Sequence, residues 1–320
     1  MILLTGGTGF VGKALLDALK NRNVRCLGRR KPSIIASTSF FESEINANTD
    51  FAVALQDTNV LIHCAARVHI MSDSATNPLE AFREINTYGT LNLAQQASDA
   101  GVKRFIFISS IKVNGESTEP HSPFRPDDQF VPTDPYGLSK YEAEVGLREI
   151  AKNTGMEVVI IRPPLVYGPG VKANFASMMK WMNKGVPLPL GGIRGNKRSL
   201  VSVDNLVHLI VTCIEHSNAA NQTFMVSDDN DVSTSQLLAN MATALGAPNR
   251  LLSIPSTWFI LAVKLMGKAA IAQRLCGSLE VDISKTKEML NWRPPCSSAE
   301  SMKKTADAYL ATLSSNKRYR

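Results

Sequence analysis

Tyr136 and Lys140 stand four residues apart in the run TDPYGLSK, residues 133–140. Asp134 is a good N-cap and Pro135 suits the first helical position, so the spacing predicts a helix starting here. Tyr136 then falls in its first turn, with Lys140 one turn later on the same face. A phenol titrates near pH ~10 on its own. A lysine ammonium and the positive helix end both favour the phenolate. The pair is therefore suited to handling the proton of an alcohol or a ketone. Tyr-x-x-x-Lys is also commonly an ordinary exposed pair, but of the six tyrosines only Tyr136 has a lysine four residues on.

Such a pair needs a scaffold that presents a reaction partner. Residues 1–5 form a short apolar run that leads into Gly6, Gly7, Thr8, Gly9, Phe10, Val11 and Gly12, and an amphipathic pattern follows through Lys20. This reads as strand, glycine turn and helix. Gly7, Gly9 and Gly12 fit G-x-G-x-x-G, and Gly6, Gly9 and Gly12 fit G-x-x-G-x-x-G. Either spacing brings backbone close to a pyrophosphate and aims a helix N-terminus at its charge.

The second strand, residues 24–27, ends in Gly28-Arg29-Arg30. An NAD site usually carries an acid about 20 residues beyond the glycines. Here two guanidiniums stand instead, able to bind a 2′-phosphate or simply to be solvated. The expected cofactor is NADP(H), with NAD(H) possible. Ser109 ends the apolar run 104–109 and Ser110 follows it, at the strand end where ligands bind in open α/β sheets. Ser110 lies 26 residues before Tyr136.

The 320 residues suffice for one large α/β domain with an appendage, or for two domains. Lys plus Arg (35) exceeds Asp plus Glu (28), for a net charge of +7 spread along the chain apart from the tail Lys317-Arg318-Tyr319-Arg320. That balance suits an anionic small molecule, and no basic stripe interleaved with aromatics argues for nucleic acid. Five scattered cysteines form neither a disulfide framework nor a zinc pattern, which fits a reducing cytoplasm. No signal peptide is expected before the first strand. The most apolar helix candidate, residues 258–266, is interrupted by Lys264 and too short to span a bilayer; a helix lying on a membrane surface is one reading, and a packed helix is the one expected.

Further strands are expected at 39–45, 60–64, 157–162 and 223–226. Helices are expected at 77–100, 174–183 and 204–215, with mostly helical structure from 233 to 313. The fold class is α/β: a doubly wound Rossmann sheet of parallel strands with a smaller, interleaved C-terminal lobe. Residues 1–168 with about 199–228 would form the dinucleotide domain. Residues 169–198 with 229–313 would form the substrate lobe, and 314–320 a disordered basic tail.

Taken in order, the glycine turn, Ser110 and Tyr136-x-x-x-Lys140 resemble the extended short-chain dehydrogenase/reductases, in particular the nucleotide-sugar epimerase/dehydratase branch. Pro135-Tyr136-Gly137-x-Ser139-Lys140, Arg162-Pro163 and Val166-Tyr167-Gly168-Pro169 match that branch. Ser109-Ser110-Ile111-Lys112-Val113-Asn114-Gly115 departs from it, with Asn114 in place of a tyrosine. The resemblance implies that Ser110 binds the sugar oxygen, Tyr136 moves its proton and Lys140 holds the nicotinamide ribose. It also implies cofactor contacts from Ala65, Ala66 and Pro163, and a UDP-sugar held by Asn174, Leu190, Arg198 and Arg274. A homodimer through the helices 77–100 and 135–152 is implied too, with no metal.

Three functions follow as expectations. The first is NADPH-dependent 4-reduction of a UDP-4-keto-6-deoxy-N-acetylhexosamine, for bacterial surface polysaccharide (O-antigen). The second is a UDP-glucose or UDP-N-acetylglucosamine 4-epimerase with tightly bound NAD. The third is a non-catalytic dinucleotide sensor.

Overall fold

The structure, a computed structural model, describes residues 1–33, 39–68, 77–119, 121–267 and 269–318. Seven parallel strands make one sheet: β1 (Ile2–Thr5), β2 (Val24–Gly28), β3 (Ser39–Glu42), β4 (Val60–His63), β5 (Arg104–Ile108), β6 (Glu157–Arg162) and, later in the chain, β9 (Thr223–Met225). Their order is β3-β2-β1-β4-β5-β6-β9. Between them in sequence, β7 (Leu165–Tyr167) and β8 (Leu200–Ser202) pair in parallel as a separate ribbon. The central strands are apolar almost throughout, as parallel strands covered on both faces must be.

Helices cover the two faces. The early ones are α1 (Phe10–Ala18), α2 (Ala52–Leu55), α3 (Pro78–Arg83), α4 (Thr90–Asp99) and α5 (Pro135–Thr154). Then come α6 (Ala173–Asn183), α7 (Val203–Glu215), α8 (Thr234–Leu245), α9 (Ser256–Leu265), α10 (Ala269–Cys276), α11 (Ser284–Leu290) and α12 (Ser298–Arg318). On one face, Leu15 and Leu16 of α1 and Leu206, Leu209 and Ile210 of α7 pack on Leu4, Ile62, Ile106 and Ile161. On the other, Leu93 and Ala97 of α4 and Ala143 and Leu147 of α5 pack on Leu3, Leu61, Phe105 and Ile160. A third cluster lies apart, built from Tyr167, Phe175, Met179, Leu238, Met241 and Met302 among others.

The strand order reverses between β1 and β4, the switch point at which open α/β sheets bind ligands. The sequence-expected elements recur with small shifts, and three differ in kind. The helix expected over 77–100 contains a π-helical turn at Glu84–Gly89 between α3 and α4. The last helix runs to Arg318 rather than ending near Leu313. Helix α9, expected to be packed, has no buried residue.

Candidate active site

The glycine turn and the end of β4 close on each other at the switch point. Gly6 has φ +72°, and a Cβ there would sit 2.7 Å from the Ala65 nitrogen. A Cβ on Gly12 would sit 2.2 Å from the Gly6 carbonyl oxygen, so α1 approaches the turn as only glycine permits. Gly9 is the N-cap of α1, extended at φ −75° and ψ 174°, and no side chain caps the helix. The first N–H groups of α1 are thus left for an external acceptor, and with Gly6 and Gly12 they fit a pyrophosphate. Thr8 is exposed and Phe10 and Val11 half-buried beside the turn.

Beneath it lies a buried polar layer. The Ala65 N–H donates to Thr5 Oγ1 at 3.2 Å, and that hydroxyl is 2.7 Å from His63 Nδ1. His63 Nε2 reaches Thr90 Oγ1 at 2.9 Å. Burial, reinforced by the Lys140 charge, lowers His63 to about 3, so the ring is neutral. It stacks on Phe107 with centroids 5.8 Å apart.

Helix α5 begins as the residue types dictate. Asp134 accepts from the Gly137 N–H at 2.8 Å, and Pro135 occupies the first turn. Tyr136 is half-buried, its ring edge-on to Phe82 at 5.8 Å. Burial, opposed by a hydrogen bond with Ser110 and reinforced by Asp134, raises the phenol to about 12. Ser110 follows β5 and also accepts from the Lys112 N–H at 3.2 Å. The structure thus sets Ser110 close enough to Tyr136 to act on its phenol.

Lys140 follows one turn later on the same helix. It is 1% exposed, and its Nζ sits 3.9 Å from the centre of the Phe107 ring. Burial lowers it to about 7, opposed by Glu144 and Cys64. The groups that shift Tyr136 are Ser110 and Asp134, whereas the Lys140 ammonium faces β4 and β5.

Four residues to which the sequence assigned no role in the site, Glu144, Arg162, Asn114 and Asn86, hold these groups in place. Glu144, one turn beyond Lys140, accepts from Ser109 Oγ at 2.6 Å and from Arg162 Nε at 2.9 Å. Arg162 Nη1 donates to Asn114 Oδ1 at 2.9 Å and to the Pro126 carbonyl at 3.0 Å. Asn114, flagged only as a departure, therefore ties the loop after β5 to β6. Asn86 in the π turn donates to Ser139 Oγ and to the Arg67 carbonyl, both at 3.0 Å. The i, i+4 spacing of Lys140 and Glu144 was a usable signal, but the partners of Asn114 and Asn86 are remote in sequence.

The remaining candidates are scattered around this centre. Ala65 and Ala66 are half-buried at the end of β4, and the buried Pro163 accepts from the Ile111 N–H at 3.0 Å. Arg29 and Arg30 are both exposed at the end of β2. Arg198 Nη1 donates to the Arg274 and Gly277 carbonyls at 2.6 and 3.1 Å, at the end of α10. Asn174 is exposed on α6, the Arg274 side chain is exposed, and Leu190 packs against the third cluster.

The model of the NAD dependent epimerase/dehydratase family matches residues 2–227. A Vibrio cholerae protein named UDP-glucose 4-epimerase is 54% identical over 312 residues, covering 97% of this chain and 95% of that protein. A Thermotoga maritima UDP-glucose 4-epimerase solved with UDP-glucose superposes with TM-score 0.79 at 24% identity, covering 98% of this chain and 99% of its own. A Bacillus cereus UDP-glucuronic acid 4-epimerase solved with NAD gives 0.77 at 22% identity, covering 97% and 99%. The family model spans more than half of the chain and the Vibrio cholerae relative is 54% identical over nearly all of it, so the chain belongs to the NAD dependent epimerase/dehydratase family.

Proposed function

We propose that this protein interconverts UDP-hexoses at C4 and retains NAD through the cycle. The carrying observation is the 54% identity, over nearly the whole of both chains, to a protein named UDP-glucose 4-epimerase. It outweighs the reductase reading, which rested on Arg29 and Arg30 as readers of a 2′-phosphate. Both lie exposed at a strand end, where solvation accounts for them equally well. NAD(H) is accordingly favoured over NADP(H).

In this reading the α1 N-terminus and Gly6, Gly9 and Gly12 take the cofactor diphosphate, and Lys140 takes the nicotinamide ribose. When bound, the nicotinamide exchanges a hydride with the sugar carbon. Tyr136 removes the proton of the C4 hydroxyl and returns it. Ser110 donates to the phenolate until substrate binds and then turns its one O–H to the sugar oxygen, so charge developing on that oxygen meets a donor. Asn174, Leu190, Arg198 and Arg274 are proposed to meet the uridine diphosphate from the lobe built on the third cluster. A homodimer through the helical layer of α4 and α5 is proposed with them.

The test is incubation of purified protein with UDP-glucose and no added nucleotide, with products resolved by chromatography. UDP-galactose should accumulate, and denatured protein should release NAD. Consumption of NADPH with a 4-keto sugar, without epimerisation, would restore the reductase reading.

A further inference from the structure

Helix α9 and the turn after it present large apolar groups to solvent. Trp258 is 73% exposed, Leu261 60%, Leu265 80% and Met266 66%. Trp258, Leu261 and Leu265 follow i, i+3, i+7 spacing and form one outward stripe. Leu252 and Ile254 before the helix, and Ile271 in α10, extend the apolar surface. Isolated exposed leucines are ordinary, but a contiguous stripe led by a tryptophan is an interaction surface.

Charge identifies the occupant. Residues 158–203 and 232–279 contain no Asp or Glu, but seven and four Lys or Arg respectively. Arg162 is paired with Glu144 and Lys197 with Glu280, but Arg194, Lys264 and Arg274 have no carboxylate partner among the described residues. They are joined in space: Leu188 pairs with Leu251, and Arg194 Nη2 donates to Ser253 Oγ at 3.2 Å, just ahead of α9. Arg194, Lys264 and Arg274 are exposed around the apolar stripe. A second copy of the chain meeting this face about a two-fold axis would set these cations against their own images. An apolar stripe ringed by cations matches the interface of an anionic bilayer, with Trp258 at headgroup depth. Among the described residues no helix is long and apolar enough to cross a membrane, so the contact is peripheral.

We propose that α9 and α10 dock this protein on the surface of an anionic phospholipid bilayer. Docking here is continuous with the candidate substrate lobe, because Arg198 is bonded to the end of α10. The proposal goes beyond the epimerase reading and stands independently of it.

The test is flotation of the full-length protein with vesicles of phosphatidylcholine alone, or with roughly 30 mol % phosphatidylglycerol. Binding is expected only with the anionic lipid and should weaken as salt rises. Trp258→Ser combined with Leu261→Ser and Leu265→Ser should weaken it at least about tenfold, and Lys264→Glu about tenfold. All four side chains are exposed, so thermal melting should be unchanged in both variants and would expose any misfolding. Failure to float with anionic vesicles, or flotation unaffected by the triple variant, overturns the proposal. So does a self-association, seen by sedimentation velocity, that the triple variant abolishes.

Discussion

Glu144 and Arg162 form a buried bidentate pair that joins the helix of Tyr136 to the sheet. Arg162 Nε lies 2.9 Å from Oε1 and Nη2 2.5 Å from Oε2, with side chains 4% and 0% exposed. Arg162 also carries Asn114, and Glu144 carries Ser109, so a single ion pair fixes the distance between the Ser110 loop and α5. Removing one partner leaves the other charge buried alone. Glu144→Gln should therefore cost about 3–5 kcal/mol in urea denaturation. A loss under about 1 kcal/mol would show that this pair does not hold the site together.

Tyr136→Phe deletes only the phenolic oxygen and keeps the ring against Phe82. Turnover of UDP-glucose should fall by about 10²–10⁴, with released NAD per protein unchanged. Retained turnover would mean that the proton is handled elsewhere.

Ser110→Ala removes the hydrogen bond that partly offsets burial at a phenol already raised, on balance, to about 12. The acid limb of kcat should move to higher pH by about one pH unit, because the phenolate becomes harder to form. A uniform drop at every pH would instead assign Ser110 to substrate binding alone.

Lys140 titrates near 7 in the fold against 10.5 when solvated, because burial disfavours its charge. The unfolded chain therefore binds the extra proton between these values, and stability rises with pH across that window. The penalty is complete below pH 7. Lys140→Met should be more stable than the parent by about 2–5 kcal/mol near neutrality. The two should converge near pH ~10 in denaturant titrations; an advantage undiminished there would contradict the burial argument.

Gly12→Ala would place a Cβ 2.2 Å from the Gly6 carbonyl oxygen, and backbone must move to admit it. A loss of about 2–4 kcal/mol in stability is expected, together with loss of released NAD. Gly9→Ala, whose nearest contact is 3.1 Å, should be milder by thermal melting.

Sequence alone determined the local pieces of this protein. Thr5 to Gly12 read as strand, turn and helix, and Asp134-Pro135 fixed where α5 begins, because capping and glycine geometry act within a few residues. Buried apolar runs separated by helical patterns likewise required a parallel sheet. Tertiary structure decided what those pieces mean to one another. It paired Tyr136 with Ser110, turned Lys140 onto Phe107, and buried Glu144 against an arginine from β6. It also left α9 uncovered, although its apolar sequence had suggested packing. Burial and charge pairing depend on chain segments brought together from tens of residues away, and no local pattern records which neighbour arrives.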